Sequence, residues 1–314
     1  MKTRMQNSPY GFTPLIPWLF VLAMFSCTPV DKAQEQRLQV VCTTGMLGDA
    51  LQLIAGDHIR LTTLMGPGVD PHLYKATQGD LQALTSADLI IYHGLHLEGK
   101  MADVLEKLGR TKRVVALAST LPEDKLLLLD EQGPVYDPHL WFDVSLWADL
   151  VMQAAAELGK SDTQHADQYR RNARQYTDSL LVLHEWVKSS INDIPSEQRV
   201  LITAHDAFGY FGRAYGMTVR GLQGISTASE FGLRDLSNLV TYLTKHKIRA
   251  VFVESSVPTK SLEAVVEGCR MRGHTLVIGG MLYADALGNT GTPEASYTGI
   301  VRHNVNTIVR ALKR

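Results

Sequence analysis

Cysteine is scarce in this sequence. The 314-residue chain has three, Cys27, Cys42 and Cys269, and no pair stands in the C-x-x-C spacing of a cysteine zinc site. Cys42 lies in the apolar run "LQVVCTTG" and Cys269 in the helix-like "SLEAVVEGCRMRG", far apart in the chain, so two buried free thiols are expected rather than a disulfide. A surplus of either charge is also missing. Lys and Arg number 31 against 32 Asp and Glu, a formal net charge of −1. Without a basic surplus there is nothing to neutralise a phosphate backbone, and nucleic acid is not an expected partner. Neither H-E-x-x-H nor a serine-centred nucleophile motif occurs, which removes two common signatures of hydrolases.

What is present describes an exported globular protein. A content of 45% hydrophobic and 20% charged residues over 314 positions suits two domains of ordinary size. Lys2 and Arg4 precede "LIPWLFVLAMFSC" (15–27), an apolar run of signal-peptide length, too short to span a bilayer comfortably. It ends in Ser26-Cys27 and gives way to polar "TPVDKAQEQ". This is the pattern of a lipoprotein cleavage site, although Met24 and Phe25 replace the usual residues before it. Residues 1–26 are therefore expected to be a signal peptide, with Cys27 lipidated and 27–37 a tether to a membrane.

From residue 38 short β-branched runs alternate with helical patterns. "RLQVVCTT", "IRLTTLM", "DLIIYHG" and "RVVALAS" read as strands with helices between them, and the rhythm returns after residue 199 with "RVLITAH", "MTVRGLQ", "IRAVFVES" and "HTLVIGG". Such alternation predicts α/β architecture with parallel sheets flanked by helices. Residues 163–192 contain no glycine or proline and keep helical apolar spacing, so they predict one long backbone helix joining an N-terminal lobe (38–162) to a C-terminal lobe (193–314).

Two Asp-Pro-His-Leu tetrapeptides stand in the chain, in "GVDPHLYKAT" (68–77) and "YDPHLWFDV" (136–144). Proline fixes φ just before the histidine and lowers the entropy cost of presenting its ring in one geometry. His72 follows one expected strand, His205 ends another in "TAHDAFGY", and Asp285 comes shortly after a third in "GGMLYADALG". All three would lie at the carboxyl edges of sheets, where open α/β folds bind ligands. His139 stands in a loop before a helix. Three imidazoles and a carboxylate facing each other across a cleft suit one divalent cation, with zinc and manganese the leading choices.

Taken in order, "GVDPHLYKAT", "GLHLEGKM", "DPHLWFDV", "TAHDAFGYF", "FVESSVP" and "YADALG" resemble the landmarks of the zinc/manganese solute-binding proteins of bacterial ABC importers, the TroA-like branch in particular. The resemblance runs from residue 38 to the end. It implies two α/β lobes joined by a long helix, Zn2+ or Mn2+ held between them by His72, His139, His205 and Asp285, and delivery to a membrane permease with its ATPase by a monomeric, lipid-anchored receptor. Many manganese-preferring relatives carry a carboxylate where this chain has His205. Many zinc importers carry a His-rich loop in the first domain, and "EDKLLLLDEQGPVYDPH" has no histidine before His139.

Glu254, at the end of "FVE", is expected to orient a ligand through a hydrogen bond, and His96, in "IYHGLHLEG", to stand behind the first ligand layer. Trp141, Phe142, Phe208 and Tyr210 are expected to pack the cleft walls. A zinc hydrolase is the enzymatic alternative, but it needs an open coordination position that Asp285 would fill. A surface adhesin is compatible with lipidation and has no feature of its own in the chain.

Overall fold

The computed structural model describes residues 37–130, 135–229 and 231–313. The expected signal segment, Cys27 and all but the last residue of the expected tether lie outside the described residues. Within them no helix is long and apolar enough to cross a membrane.

The first half is built on four parallel strands, β1 (Leu38–Cys42), β2 (Ile59–Thr63), β3 (Leu89–Tyr92) and β4 (Arg113–Ala116), in the order β2-β1-β3-β4. The two central strands bury six of their nine side chains, Val40, Val41 and Cys42 in β1 and Leu89, Ile90 and Ile91 in β3. Near-continuous apolar runs are what a sheet covered on both faces demands. The crossovers are α1 (Gly45–Ala55), α2 (Gln78–Ser86) and α3 (Ala102–Gly109). Thr44 caps α1 by accepting from Leu47 N, and a Thr77/Asp80 capping box opens α2. A short antiparallel hairpin, β5 (Leu128–Asp130) with β6 (Val135–Tyr136), follows. The sequence pattern did not call for it.

The chain then runs through the second Asp-Pro-His turn into α4 (Val144–Ser161), whose first amides are capped by Asp143. The long helix α5 spans Ala166–Asn192. It begins three residues later than its glycine-free composition suggested. Asp162 takes the hydroxyl of Tyr169 at 2.5 Å and the ring Nδ1 of His165 at 2.7 Å, which holds the preceding residues in a turn. Tyr169, Ala173, Leu180, Leu183, Val187 and Ile191 form its buried stripe, and each large aliphatic buried there contributes about 1.5–3 kcal/mol. The helix is packed along its length: it lies against α4 and α1, and Asn172 Nδ2 donates to Ile54 O at 2.8 Å.

The second half contains β7 (Val200–His205), α6 (Gly209–Tyr215), β8 (Thr218–Gln223), α7 (Leu233–Lys245), β9 (Ala250–Glu254), α8 (Lys260–Met271), β10 (Val277–Leu282) and α9 (Tyr297–Leu312). Its strands form two parallel pairs, β7 with β8 and β9 with β10, with β7 beside β9. One apolar core serves both halves. It joins Val40, Leu51 and Trp147 to Phe208, Tyr215, Tyr297 and Ile308, while a smaller cluster lies within each half alone. Cys42 and Cys269 are buried free thiols.

Candidate metal centre

Two histidines of the centre are presented by one backbone device. Proline has no N–H to offer, so the aspartate before it reaches past it to the next amide. His72 N donates to Asp70 Oδ1 at 2.8 Å, and His139 N donates to Asp137 Oδ1 at 2.9 Å. The third histidine is placed differently. His205 is the last residue of β7, and Glu254, the last residue of β9, accepts its backbone N–H at 2.9 Å and its ring Nδ1–H at 2.5 Å. Gly221 in β8 permits this packing: a Cβ there would sit 2.3 Å from Asp206 N and 2.5 Å from the His205 carbonyl carbon. Asp285 stands three residues beyond β10. The indole of Trp141 donates to the preceding carbonyl, Ala284 O, at 3.0 Å, and Tyr297 donates its hydroxyl to Trp141 O at 2.6 Å. These bonds tie the loops of His139 and Asp285 together.

His72, His139, His205 and Asp285 are all buried, and one potential ligand atom from each lies within 4.8 Å of the others. His72 Nε2 is 3.2 Å from His139 Nε2. Asp285 Oδ2 is 3.3 Å from His205 Nε2 and 3.8 Å from His72 Nε2, and its Oδ1 is 3.7 Å from His139 Nε2. Tetrahedral coordination with bonds of about 2.0–2.1 Å sets ligand atoms about 3.3 Å apart, so these separations fit one small cation. Both oxygens of Asp285 and Nε2 of His205 are buried without a hydrogen-bond partner. Buried polar atoms are rarely left so, and a cation at their common focus satisfies all of them.

The zinc-uptake complex component A, periplasmic (ZnuA) family matches residues 40–311. The chain belongs to the ZnuA family. It is 52% identical over 294 residues to the manganese-binding lipoprotein MntA of Bacillus subtilis, covering 94% of this chain and 96% of that one. It is 46% identical to the zinc-binding protein TroA of Treponema pallidum over 284 residues, 90% of this chain and 92% of that one. The solved structure of that TroA superposes with a TM-score of 0.86 over 88% of this chain and 100% of its own. A third relative, at 28% identity over 96% of this chain and 98% of its own, is the manganese ABC transporter substrate-binding lipoprotein PsaA of Streptococcus mitis.

In this ZnuA-family chain the charges of the cluster are set by burial and by one another. Burial alone would lower the pKa of His205, but the Asp285 and Glu254 carboxylates outweigh it and raise the ring well above the usual histidine range. Burial alone would raise Asp285. The three imidazoles, His205 first, hold it well below the usual carboxylate range instead. For His72 burial prevails over Asp285, and its pKa falls to about 4. The carboxylates on the Nδ1 atoms of His139 (Asp137 Oδ1, 2.7 Å) and His205 keep a proton there and turn each Nε2 toward the centre.

His96 is not where the sequence reading put it. It is exposed, in a left-handed turn with φ of 65°, and takes no part in the cluster. Gly94, Leu95 and His96 all have positive φ, which turns the chain away from the site after His93. His93 is the residue behind the ligands. It is buried, its Nε2 lies 2.6 Å from Pro138 O, and its ring meets Trp141 edge-on at 5.0 Å. Burial pushes its pKa down to about 3, so the neutral ring donates from Nε2 to that carbonyl. Glu98, also buried, holds the turn by accepting from His93 N at 2.7 Å, Gly94 N at 3.1 Å and Thr43 Oγ1 at 2.6 Å. Asp70, Asp137, His93 and Glu98 were given no role by the sequence reading. The two aspartates stood inside its repeated motif, and that repetition was the available signal. Trp141, Phe142, Phe208 and Tyr210 are buried as wall residues.

Proposed function

We propose that His72, His139, His205 and Asp285 hold one divalent transition-metal ion, zinc or manganese, as cargo, and that the protein is the extracytoplasmic solute-binding component of an ABC importer. The observation that carries this reading is the convergence of four buried ligand atoms at tetrahedral spacing, three side-chain atoms of the set being otherwise unpartnered. Family membership supports the transport role, and the relatives' names divide between manganese and zinc. Three nitrogens and one oxygen suit either ion, with zinc the tighter binder at equilibrium. The protein fills four positions itself, whereas a catalytic zinc keeps one for water. The role is therefore capture and release, without catalysis.

In the arrangement we propose, residues 1–26 are removed on export, Cys27 carries the lipid, 27–37 form the tether, and lobes 38–162 and 193–314 each contribute two ligands across the connecting segment 163–192, which carries α5 (Ala166–Asn192). The monomer delivers its ion to a permease driven by an ATPase. The lipoprotein names of MntA and PsaA support the anchor, and the ABC transporter name of PsaA supports the partner. The test is elemental analysis of protein taken from its own cell, beside titration of metal-free protein with Zn2+ and Mn2+. One ion per chain is expected, and four single alanine variants at the ligands that each kept one tight ion would refute the site.

A further inference from the structure

Asp70 has a second oxygen, and its partner lies in the other half of the chain. Oδ1 accepts the His72 amide at 2.8 Å, while Oδ2 accepts the hydroxyl of Thr227 at 2.6 Å. Thr227 is separated from Asp70 by 157 positions. It follows β8 in a compact turn in which Ala228 N donates to Ser226 Oγ at 3.2 Å, Ser229 N donates to Ser226 O at 3.0 Å, and Gln223 Nε2 donates to Ser229 O at 3.3 Å. Both Asp70 and Thr227 are half-buried. A hydroxyl donating to a carboxylate is among the stronger hydrogen bonds a protein makes, and this one joins the turn that presents His72 to the half that supplies His205 and Asp285.

We infer that Thr227 is a positioning residue for the cargo site: its bond to Asp70 is a latch that keeps His72 in place and slows departure of the ion. The inference rests on the proposed four-residue metal site. The latch spans the same gap as the ion and touches none of the ligand atoms. Losing it leaves the coordination sphere as it was and frees the His72 turn to swing away. The His139 turn is held differently: Asp137 Oδ1 takes the amide and ring of its own histidine, and the ties from that turn to the other half run through the Asp137 carbonyl, which accepts from Tyr210, and the Trp141 indole.

The experiment uses the protein loaded with Co2+ as a spectroscopic substitute for the cargo ion, and measures stoichiometry, the visible spectrum and the rate at which excess chelator removes the ion. Thr227→Val, close to isosteric, is expected to bind one ion with the wild-type spectrum and melting temperature of the metal-free protein, and to release it about tenfold faster, the effect of losing one partly exposed hydrogen bond to a charged group. Thr227→Ser restores the hydroxyl and the slow release. Thr227→Ala, which removes the hydroxyl without the second methyl of valine, behaves as Thr227→Val and guards against a packing artefact. Wild-type release rates in both Thr227→Val and Thr227→Ala, with one ion bound, overturn the latch and leave the metal site standing. A wild-type protein that binds no ion overturns the site itself and the latch with it.

Discussion

The two Asp-Pro-His-Leu turns are identical in sequence and unlike in their surroundings. In both, the aspartate bonds the amide two residues on. At Asp137 the same oxygen also takes the His139 ring nitrogen, the carbonyl of the following residue, Pro138 O, is held by His93, and Tyr210 donates to Asp137 O at 3.0 Å. At Asp70 the second oxygen faces outward to Thr227. Both turns are fastened to the opposite half, His139 through a dense, buried network that includes Tyr210 and Trp141, and His72 through the half-buried bond of Thr227 to Asp70. A motif specifies a local backbone; what that backbone is fastened to decides whether the ligand it carries is an anchor or a moving part.

The largest effect belongs to the ligands themselves. His72→Ala and His139→Ala should each lower Zn2+ or Mn2+ affinity by more than the roughly 10–100-fold that outer partners supply, as read by competition with a chromophoric chelator. Near-normal affinity in either variant would remove that histidine from the centre. The aspartates separate the turns more finely. Asp137→Ala loses both the amide and the ring contact and should weaken binding by about 100-fold, whereas Asp70→Ala should weaken it by about tenfold. Equal losses would mean that the two turns are wired alike.

His205 provides the contrast of a ligand placed without such a turn. Gly221→Ala puts a methyl against the backbone of His205 and Asp206, and the forced shift should cost about 1–3 kcal/mol of stability in thermal unfolding, with weaker metal binding as well. An unchanged melting temperature would show that β8 can yield there.

The smallest effect is one of protons. Metal binds neutral imidazole, and in the metal-free protein the Asp285 and Glu254 carboxylates outweigh burial and raise the pKa of His205, favouring its protonated form. Loading should expel about one proton per ion there, so affinity rises with pH until the raised pKa of His205 is passed. His72, lowered to about 4 by burial, is neutral already and contributes no proton in mild acid. Calorimetry of Zn2+ binding in two buffers of different ionisation heat reads the count, and a value of zero at neutral pH would contradict the ion pair between His205 and Asp285.

Much of the fold was legible because its signals are local. β1 and β7 are patterned enough that their expected and observed spans agree within one or two residues. The gathering of His72, His139, His205 and Asp285 was legible from strand ends and the repeated tetrapeptide. The hairpin of β5 and β6 was not: its strands are too short to show a period, and their pairing follows from the packing around Leu127 and Asp137, where Asp137 N donates to Leu127 O at 2.8 Å. The exchange of His96 for His93 was hidden by three consecutive positive-φ residues, two of them not glycine, since β-strand alternation says nothing once the chain enters such a turn. Thr227 lies far along the chain from Asp70, and no pattern within either segment announces their meeting.

The core that runs from Val40 through Phe208 to Ile308 has a bearing on how the chain can be divided. A cut in the turn between α4 and α5, at residues 162–165, would leave each fragment with a broad apolar face made to be covered by the other, and α5 with nothing beneath its stripe. Neither piece is a free-standing module. The halves that meet at the ligand cluster are, for the purpose of folding, a single object, so a nicked chain should survive only while its fragments stay together, and swapping one half for a relative's should succeed only if the incoming half keeps the aromatics that meet across the seam, Trp147 stacked on Tyr297 at 5.0 Å and Phe142 on Phe208 at 4.1 Å.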